Sequence, residues 1–351
     1  MSGLHIKDGG TWKSVKDLNV YDGGQWKDVY QAYVKDGGTW KAFWPPEATY
    51  GWHAGNFNTT SNGLTTVQRK DFSNDANNYS TRTALPAGRG FNSGTGNKDY
   101  AWWLGGVDSS FTSTSTIYRT ELANDSTTAS NRGNLNVNRD SAGACGNPRQ
   151  GYIAGGLFSG TGSDQIEKIT FSSDTSSTNA ATFGTARAFI SAVNSDTSGY
   201  WSGGFTNVNP TWWTTQITKI VFATDTSSNI SGTMSVSRDS VGSVESRTNG
   251  YWAGGYTDTS ATINSSRVDK IQFSNDTVSS IGDILPSAIS QMGGIANDSR
   301  GFFCGGRTNG FTDSQTTTCQ RILFSNETMT TSSIGTLSEA GIYLSSHQGI
   351  I

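Results

Sequence analysis

One short motif that recurs six times constrains the fold of this chain more than any other feature. Each copy has an aromatic residue, two further residues and then two glycines, except that Asn56 replaces the second glycine of the first copy. The copies are Trp52–Asn56, Trp102–Gly106, Tyr152–Gly156, Tyr200–Gly204, Tyr251–Gly255 and Phe302–Gly306. Their first residues are 48 to 51 positions apart, and self-similarity at such a period indicates a repeat architecture.

Other features recur in phase with this motif. Alternating stretches such as Gln165–Phe171, Gln216–Phe222 and Val268–Phe273 follow the Gly pair, and alternation of period two indicates a strand. A turn with an acidic residue comes next, then a stretch rich in Ser and Thr, and then an arginine in four copies: Arg89, Arg139, Arg187 and Arg238. Each repeat therefore predicts four short strands, named A to D here. Strand A follows the arginine, and strand B carries the Gly pair.

Four strands in a repeat of about 50 residues predict a propeller blade. The motif resembles the kelch family, whose second blade strand ends in a Gly pair, although the Trp usual in the fourth kelch strand is absent. The first repeat begins at a B strand, Tyr50–Asn56, and the last ends in an A-like segment, Gly341–Gly349. We therefore predict an all-β fold: a six-bladed, kelch-like propeller closed by pairing of its two terminal strands, which removes exposed sheet edges.

A second repeat, with a period of 14 residues, precedes the propeller. Asp8-Gly9-Gly10-Thr11-Trp12-Lys13 recurs around Trp26 and again around Trp40, and Pro45-Pro46 ends the section. Turn residues between an apolar residue and a Trp predict a tight β-hairpin. One hairpin alone is marginal in water, so three copies should stack on each other or on another chain. We predict a hairpin region at 1–46 for attachment or oligomer contacts, and a propeller at 47–351.

Composition excludes several classes of function. The chain of 351 residues has 25 basic and 28 acidic side chains, so it lacks the basic excess that nucleic acid requires. We find no run of about 18 apolar residues that would span a membrane. Met1–Lys16 has no apolar core of a signal peptide, so we expect synthesis in a cytosol. Three cysteines are no disulfide framework, and we expect Cys145, Cys304 and Cys319 to be buried free thiols. The alternative is that Cys304 and Cys319, which fall on adjacent B and C strands of one blade, are paired.

No catalytic or metal-binding pattern emerges from the sequence. His53 and His347 both fall in the blade formed by the two termini, but two histidines without a phased carboxylate favour a structural role. The acidic residue in each C–D turn is explained by turn chemistry. The Gly pairs end strands and do not open helices, so they form no phosphate loop. The sequence therefore predicts no enzyme activity, no metal and no cofactor.

Binding residues are predicted in the loops. In an antiparallel blade the B–C and D–A loops share one face of the disc, and the B–C loops contain Phe111, Trp212, Trp213 and Phe311. An aromatic ring on a loop rich in Ser, Thr and Asn can stack on a sugar while its neighbours bond the sugar hydroxyls. The alternative is that Trp212 and Trp213 fold back over the blade or contact a partner subunit.

The hairpin repeat, as in Tyr33–Lys41, resembles repeats of tail-associated proteins of tailed bacteriophages, in which kelch-like propellers also occur. The resemblance implies a non-enzymatic virion protein, made in the host cytoplasm and released on the particle by lysis. Its residues 1–46, including Trp12, Trp26 and Trp40, would contact other virion proteins or further copies of the chain. The propeller would then bind the host surface through a glycan. The alternatives are a purely structural decoration or fibre spacer, and a polysaccharide-degrading propeller enzyme.

Overall fold

The computed structural model describes residues 5–8, 10–14, 18–22, 24–28, 32–36, 38–44, 48–58, 63–206, 212–257, 263–308, 314–342 and 345–348. Within these ranges the chain forms six antiparallel sheets, which are the blades of a propeller, and three two-stranded hairpins. A short 3-10 turn, Leu122–Asn124, interrupts blade 2. No helix of the described residues is long and apolar enough to span a membrane.

Each blade has strands A to D in order from the central axis to the rim. The A strands of blades 1 to 6 are Ser345–Gln348, Ser93–Gly96, Gly143–Asn147, Ser191–Asn194, Gly242–Glu245 and Gly293–Ala296. The B strands are Tyr50–Ala54, Tyr100–Leu104, Gln150–Ala154, Ser198–Ser202, Asn249–Ala253 and Arg300–Cys304. The C strands are Leu64–Asp71, Thr116–Glu121, Thr161–Thr170, Gln216–Val221, Val268–Gln272 and Cys319–Leu323. The D strands are Ser80–Arg89, Ser130–Asn134, Thr175–Arg187, Thr226–Thr233, Thr277–Gly282 and Thr328–Thr330.

Both ends of the repeat region meet in blade 1. Its A strand, Ser345–Gln348, pairs antiparallel with its B strand, Tyr50–Ala54, so that Ser346 lies opposite His53. Strand C of the same blade then follows in sequence. The predicted six-bladed ring and its closure by the two terminal strands are therefore confirmed.

The Gly pair after strand B permits a close approach between backbones. Gly105 and Gly106 have φ of 60° and 88°, the left-handed region that favours glycine. A Cβ added to Gly105 would lie 2.4 Å from the carbonyl oxygen of Arg139, far inside van der Waals contact. The motif is repeated because every blade makes this approach.

The first aromatic residue of each motif packs between blades. Trp102 of blade 2 stacks on Phe171 of blade 3, with ring centroids 4.0 Å apart. The same stack recurs in the pairs Tyr152–Phe222, Tyr200–Phe273, Tyr251–Phe324 and Phe302–Phe72. Such pairs contribute beyond the area they bury, so the motif aromatics join each blade to the next.

Ion pairs also connect consecutive blades. A basic residue on strand C pairs with the acidic residue in the C–D turn of the next blade, as Lys168 does with Asp225 at 2.7 Å. The equivalent pairs are Arg69–Asp125, Arg119–Asp174, Lys219–Asp276, Lys270–Glu327 and Arg321–Asp75. The acidic residues of the C–D turns therefore do more than form turns, because each one also forms an ion pair with the preceding blade.

All four repeated arginines are buried, and Arg139, Arg187 and Arg238 are fully buried. Arg139 is fully buried, and its Nη1 donates to the carbonyls of Gly155 and Gln165 at 3.0 and 3.1 Å. Its Nη2 donates to Glu167 at 2.7 Å, also fully buried. Burial lowers the pKa of Arg139, and the Glu167 carboxylate opposes that shift. These arginines satisfy carbonyls that the close approach of backbone would otherwise leave without donors.

Two cysteines correct a sequence prediction. Cys304 and Cys319 form a disulfide, whereas we expected free thiols. They lie directly opposite each other on strands B and C of blade 6, with Cα atoms 4.1 Å apart. Facing positions on antiparallel strands are close enough for the sulfur atoms to bond. Cys145 is a buried free thiol, as predicted.

The three N-terminal hairpins are confirmed. They pair His5–Asp8 with Thr11–Ser14, Asn19–Asp22 with Gln25–Asp28, and Ala32–Asp36 with Thr39–Trp44. Gly10, Gly24 and Gly38 have φ of 82° to 85°, which their tight turns require. The role of residues 1–46 in attachment stays a prediction.

Candidate binding face

The two faces of the disc differ in chemistry. The B–C and D–A loops form one face, called the B–C face here, and the A–B and C–D turns form the other. Among the described propeller residues, the large apolar side chains that are exposed all lie on the B–C face: Phe111, Phe158, Val236 and Ile263. The described A–B turns instead carry charged side chains: Lys98, Arg149, Asp196, Arg247 and Asp298.

Short extensions of the sheet form the described ends of several B–C loops. Val107 forms a β-bridge with Ser113, and the same bridge recurs as Tyr256–Asn264 and Arg307–Gln315. In blade 3 the extension is a regular strand pair, in which Leu157–Phe158 pairs with the start of strand C. Among these loops, those of blades 2 and 3 are described through their tips, which carry Phe111 and Phe158.

Phe111 is positioned by its turn. Oδ1 of Asp108 accepts hydrogen bonds from the backbone N–H groups of Ser110 and Thr112 at 2.8 and 3.0 Å. The turn leaves Phe111 at a φ of 58°, uncommon for a bulky residue, and its side chain is 53% exposed. Phe111 contacts Phe57 of blade 1 at 5.2 Å between centroids, so an aromatic pair extends across two blades.

Trp212 and Trp213 both pack against Phe205. Trp212 stacks on Phe205 with centroids 5.5 Å apart, and Trp213 meets the same ring edge-on at 6.0 Å. Trp213 also forms the β-bridge to Phe205 that defines the loop in blade 4. Both residues are half-buried, and their ring contacts with Phe205 correspond to the fold-back arrangement. Phe311 lies outside the described residues.

Left-handed residues recur around the axis on the same face, in the five D–A connections that lead into blades 2 to 6. The residue at the equivalent position between strands D and A has a φ between 55° and 62° in each case. These residues are Phe91, Ser141, Phe189, Ser240 and Gln291. The N–H of Ser141 donates to the Phe91 carbonyl at 3.0 Å, and Phe189, Ser240 and Gln291 each donate in turn to the preceding member. Sequence reasoning missed these residues because the residue types at the position share no chemistry.

The A strands enclose a narrow axial cavity of 130 Å³, lined mostly by small residues. His347 lines it and donates from Nε2 to the Asn97 carbonyl at 3.0 Å. His53 lies on the paired strand one register position away, and its ring stacks on Tyr79. Adjacent register positions point to opposite sides of a sheet, so the two histidines share a blade but not a site. Burial lowers the pKa of each to about 4.

No metal centre is formed by the described ranges, in which no three His, Cys, Asp or Glu side chains converge. The opposite face holds a cleft of 610 Å³ between blades 3 and 4. Asp196 stands at its rim, where surrounding protein raises the pKa of the carboxyl group; Arg247 opposes this shift and Asp298 adds to it. Sequence reasoning missed the cleft because its walls come from two successive blades, whose facing residues meet only in the folded chain.

Comparison with known proteins supports the fold. No protein-family model and no curated protein matches the sequence. Among solved structures, the chain is similar to one titled "Structure of YjhT", with a TM-score of 0.60 and 12% sequence identity. The similarity covers 74% of this chain and 87% of that one. At this identity the likeness shows the propeller fold alone.

Proposed function

We propose that this chain is a non-enzymatic appendage protein of a tailed-phage virion, and that its B–C face binds a glycan on the host surface. The observation that carries the proposal is the confinement of exposed Phe111, Phe158 and Ile263 to that face. Apolar side chains that are exposed and clustered on one side of a molecule mark interaction sites.

The chemistry around these side chains suits a sugar. The loop of Phe111 also contains Ser109, Ser110 and Thr112, and the extension of Phe158 is followed by Ser159 and Thr161. Aromatic rings stack on the apolar side of a sugar, while hydroxyl groups can both donate and accept hydrogen bonds. The B–C loops combine both kinds of group and carry few charges.

The N-terminal hairpins supply the attachment in this proposal. Val20 and Tyr21 of the second hairpin are 49% and 60% exposed, and consecutive strand residues point to opposite sides. Both sides of that hairpin therefore present an apolar group. Because a two-stranded hairpin gains stability by packing on a partner, this region would contact other virion proteins or another copy of the chain.

The test is binding to an array of bacterial surface polysaccharides. We expect the protein to bind at least one polysaccharide, and a Phe111→Ser/Phe158→Ser variant to lose about tenfold or more in affinity. A matched control, Lys98→Ser/Asp99→Ser, alters exposed residues of the opposite face and should bind normally. Equal losses in both variants would contradict the assignment of the face. Sugar release that one carboxylate substitution abolishes would instead identify the chain as a polysaccharide-degrading enzyme.

A further inference from the structure

Blades 1 and 2 each place a tyrosine at the start of strand B. The guanidinium of Arg69 lies 4.1 Å from the centroid of the Tyr50 ring, and that of Arg119 lies 4.2 Å from the Tyr100 ring. Each tyrosine also meets the motif tryptophan edge-on, Tyr100 with Trp102 at 5.7 Å. A phenol ring in contact with a cation and a second aromatic ring is therefore a repeated feature of the gap between blades.

Blade 3 has a glutamine at this position. Gln150 pairs with Thr170 in the same register in which Tyr100 pairs with Glu121. Its Nε2 donates to the hydroxyl of Tyr152 and to the carbonyl of Phe222, at 2.5 and 3.1 Å. The amide thus lies against the wall of the gap and does not fill it as a phenol ring would.

The cleft of 610 Å³ opens at this place. Pro148, Val221 and Phe222 give it an apolar wall, and Arg149, Asp196 and Thr197 stand on its polar side. A volume of this size with an apolar wall and a few polar groups is typical of a small-molecule site.

The cation of the repeated arrangement is also present in the cleft. Lys168 occupies the strand position of Arg119, and its Nζ lies 5.9 Å from the Tyr152 ring, just as Arg119 lies 5.9 Å from Trp102. Asp225 holds the ammonium group at 2.7 Å. Lys168 is part of the cleft lining, so a planar ring entering here would meet a cation at its face.

We propose that the cleft between blades 3 and 4 binds the phenolic ring of a ligand, in the position that Tyr50 and Tyr100 fill in blades 1 and 2. The ring packs on Phe222 and beside Gln150, with Lys168 at its face. The cleft is larger than one ring, so the remainder of the ligand extends towards Arg149 and Asp196. This site is separate from the B–C face and does not depend on the function proposed for it.

The experiment is a titration of the full chain with p-cresol, followed by ligand-observed NMR, with cyclohexanol as the non-aromatic probe. We expect saturable binding of p-cresol with a dissociation constant of roughly a millimolar, as is usual for a fragment of this size, and at least tenfold weaker binding of cyclohexanol. A second titration with N-acetyltyrosinamide shows whether groups beyond the ring contribute. If N-acetyltyrosinamide binds more tightly than p-cresol, the result supports a ligand that extends to the rim of the cleft. If it binds more weakly, the proposed extension towards Arg149 and Asp196 is overturned.

Filling the cleft is the decisive variant. Gln150→Tyr restores the side chain of blades 1 and 2 and should weaken p-cresol binding at least tenfold, while Asn249→Tyr at the same position of blade 5 should leave it unchanged. Ala223→Phe fills the cleft from its exposed edge and serves if Gln150→Tyr fails to fold. Absence of saturable binding to the unaltered chain would overturn the proposal. Undiminished binding in a folded, cleft-filling variant would overturn it equally.

Discussion

Arg139 and Arg187 occupy the same place in successive blades, yet their partners differ. Arg139 donates to the carboxylate of Glu167, whereas Arg187 donates to the hydroxyl of Thr218. In blade 6 the partner position is Gln320, and the arginine is replaced by Ile289. The position therefore accepts either a buried cation with an acceptor, or an apolar side chain with a neutral amide. The residue at the arginine position and its partner on strand C must therefore match, since a buried charge without its partner destabilises the fold.

Replacing either Arg139 or Glu167 alone should lower the stability of the fold far more than replacing both together. Arg139→Ile leaves Glu167 buried and without its cation, so it should destabilise the chain by about 3–5 kcal/mol. The double variant Arg139→Ile/Glu167→Gln recreates the pair of blade 6 and should recover most of that loss. Urea denaturation of both single variants and the double variant gives the coupling energy. Additive losses would contradict the account.

The two buried histidines make the fold sensitive to acid. The pKa of His53 and that of His347 are each about 4 in the folded chain, against 6.5 for an ordinary histidine. Between pH 4 and pH 6.5 the unfolded chain binds more protons than the folded chain. The free energy of unfolding therefore has its full value above pH 6.5 and falls as the pH drops towards 4. Each group accounts for about 3 kcal/mol by that linkage. His347→Gln, whose amide can still donate to Asn97, should flatten the fall measured by urea denaturation between pH 7 and 4.5. An unchanged slope would show that His347 is not buried in its neutral form.

At the scale of strands and loops, the repeat could be predicted because the Gly pair requires a special backbone. Only glycine readily adopts the φ of Gly105 while a carbonyl lies so close. The contacts between repeats could not be predicted in the same way. Lys168 and Asp225 are 57 residues apart, and only the stacking of one blade on the next brings them together.

The exposed side chains of the B–C face could be predicted only in part. Phe111 is aromatic in a polar loop, which is visible in the sequence, and it is exposed. Phe158 is also an aromatic residue in a polar loop, before Ser159 and Thr161, but sequence reasoning did not single it out. Ile263 is equally exposed but carries no such signal, because its exposure depends on the bridge that shapes its loop. The cleft between blades 3 and 4 depends on a difference between equivalent positions, Tyr100 and Gln150, which gains meaning only when the blades are superimposed in register.

Blade 6 has a covalent link between strands B and C. The disulfide joins Cys304 and Cys319, which are 15 residues apart in sequence and enclose the B–C loop of that blade. A link across a loop of this length stabilises by about 3 kcal/mol through the unfolded state. We expect a Cys304→Ala/Cys319→Ala variant to lose stability of this order in thermal denaturation without reductant. In that variant, added reductant should cause no further loss. If added reductant lowered the unfolding temperature of the variant and of the unaltered chain by the same amount, the disulfide would be contradicted.

At the scale of the whole molecule, closure depends on one four-residue strand. Ser345–Gln348 completes blade 1, and the Asn92 side chain of the next blade donates to Ser345 at 2.8 Å. Removing that strand exposes the edge of Tyr50–Ala54 and leaves the ring open.

A chain that ends at residue 342 should therefore unfold at lower temperature and aggregate more readily. The matched control ends at residue 348, which retains the strand. Thermal denaturation with light scattering measures both effects. If the two chains unfold at the same temperature, the terminal strand does not close the ring.

If the B–C face binds the glycan, a bound polysaccharide should protect the loops of that face. Hydrogen–deuterium exchange, measured with and without a polysaccharide that the protein binds on the array, reports it directly. We expect slower exchange in the B–C and D–A loops, including residues 107–113 and 157–163, and unchanged exchange in the A–B turns at 97–99 and 147–149. Slower exchange confined to the A–B turns, or to the hairpins of residues 1–46, would contradict the proposed binding face.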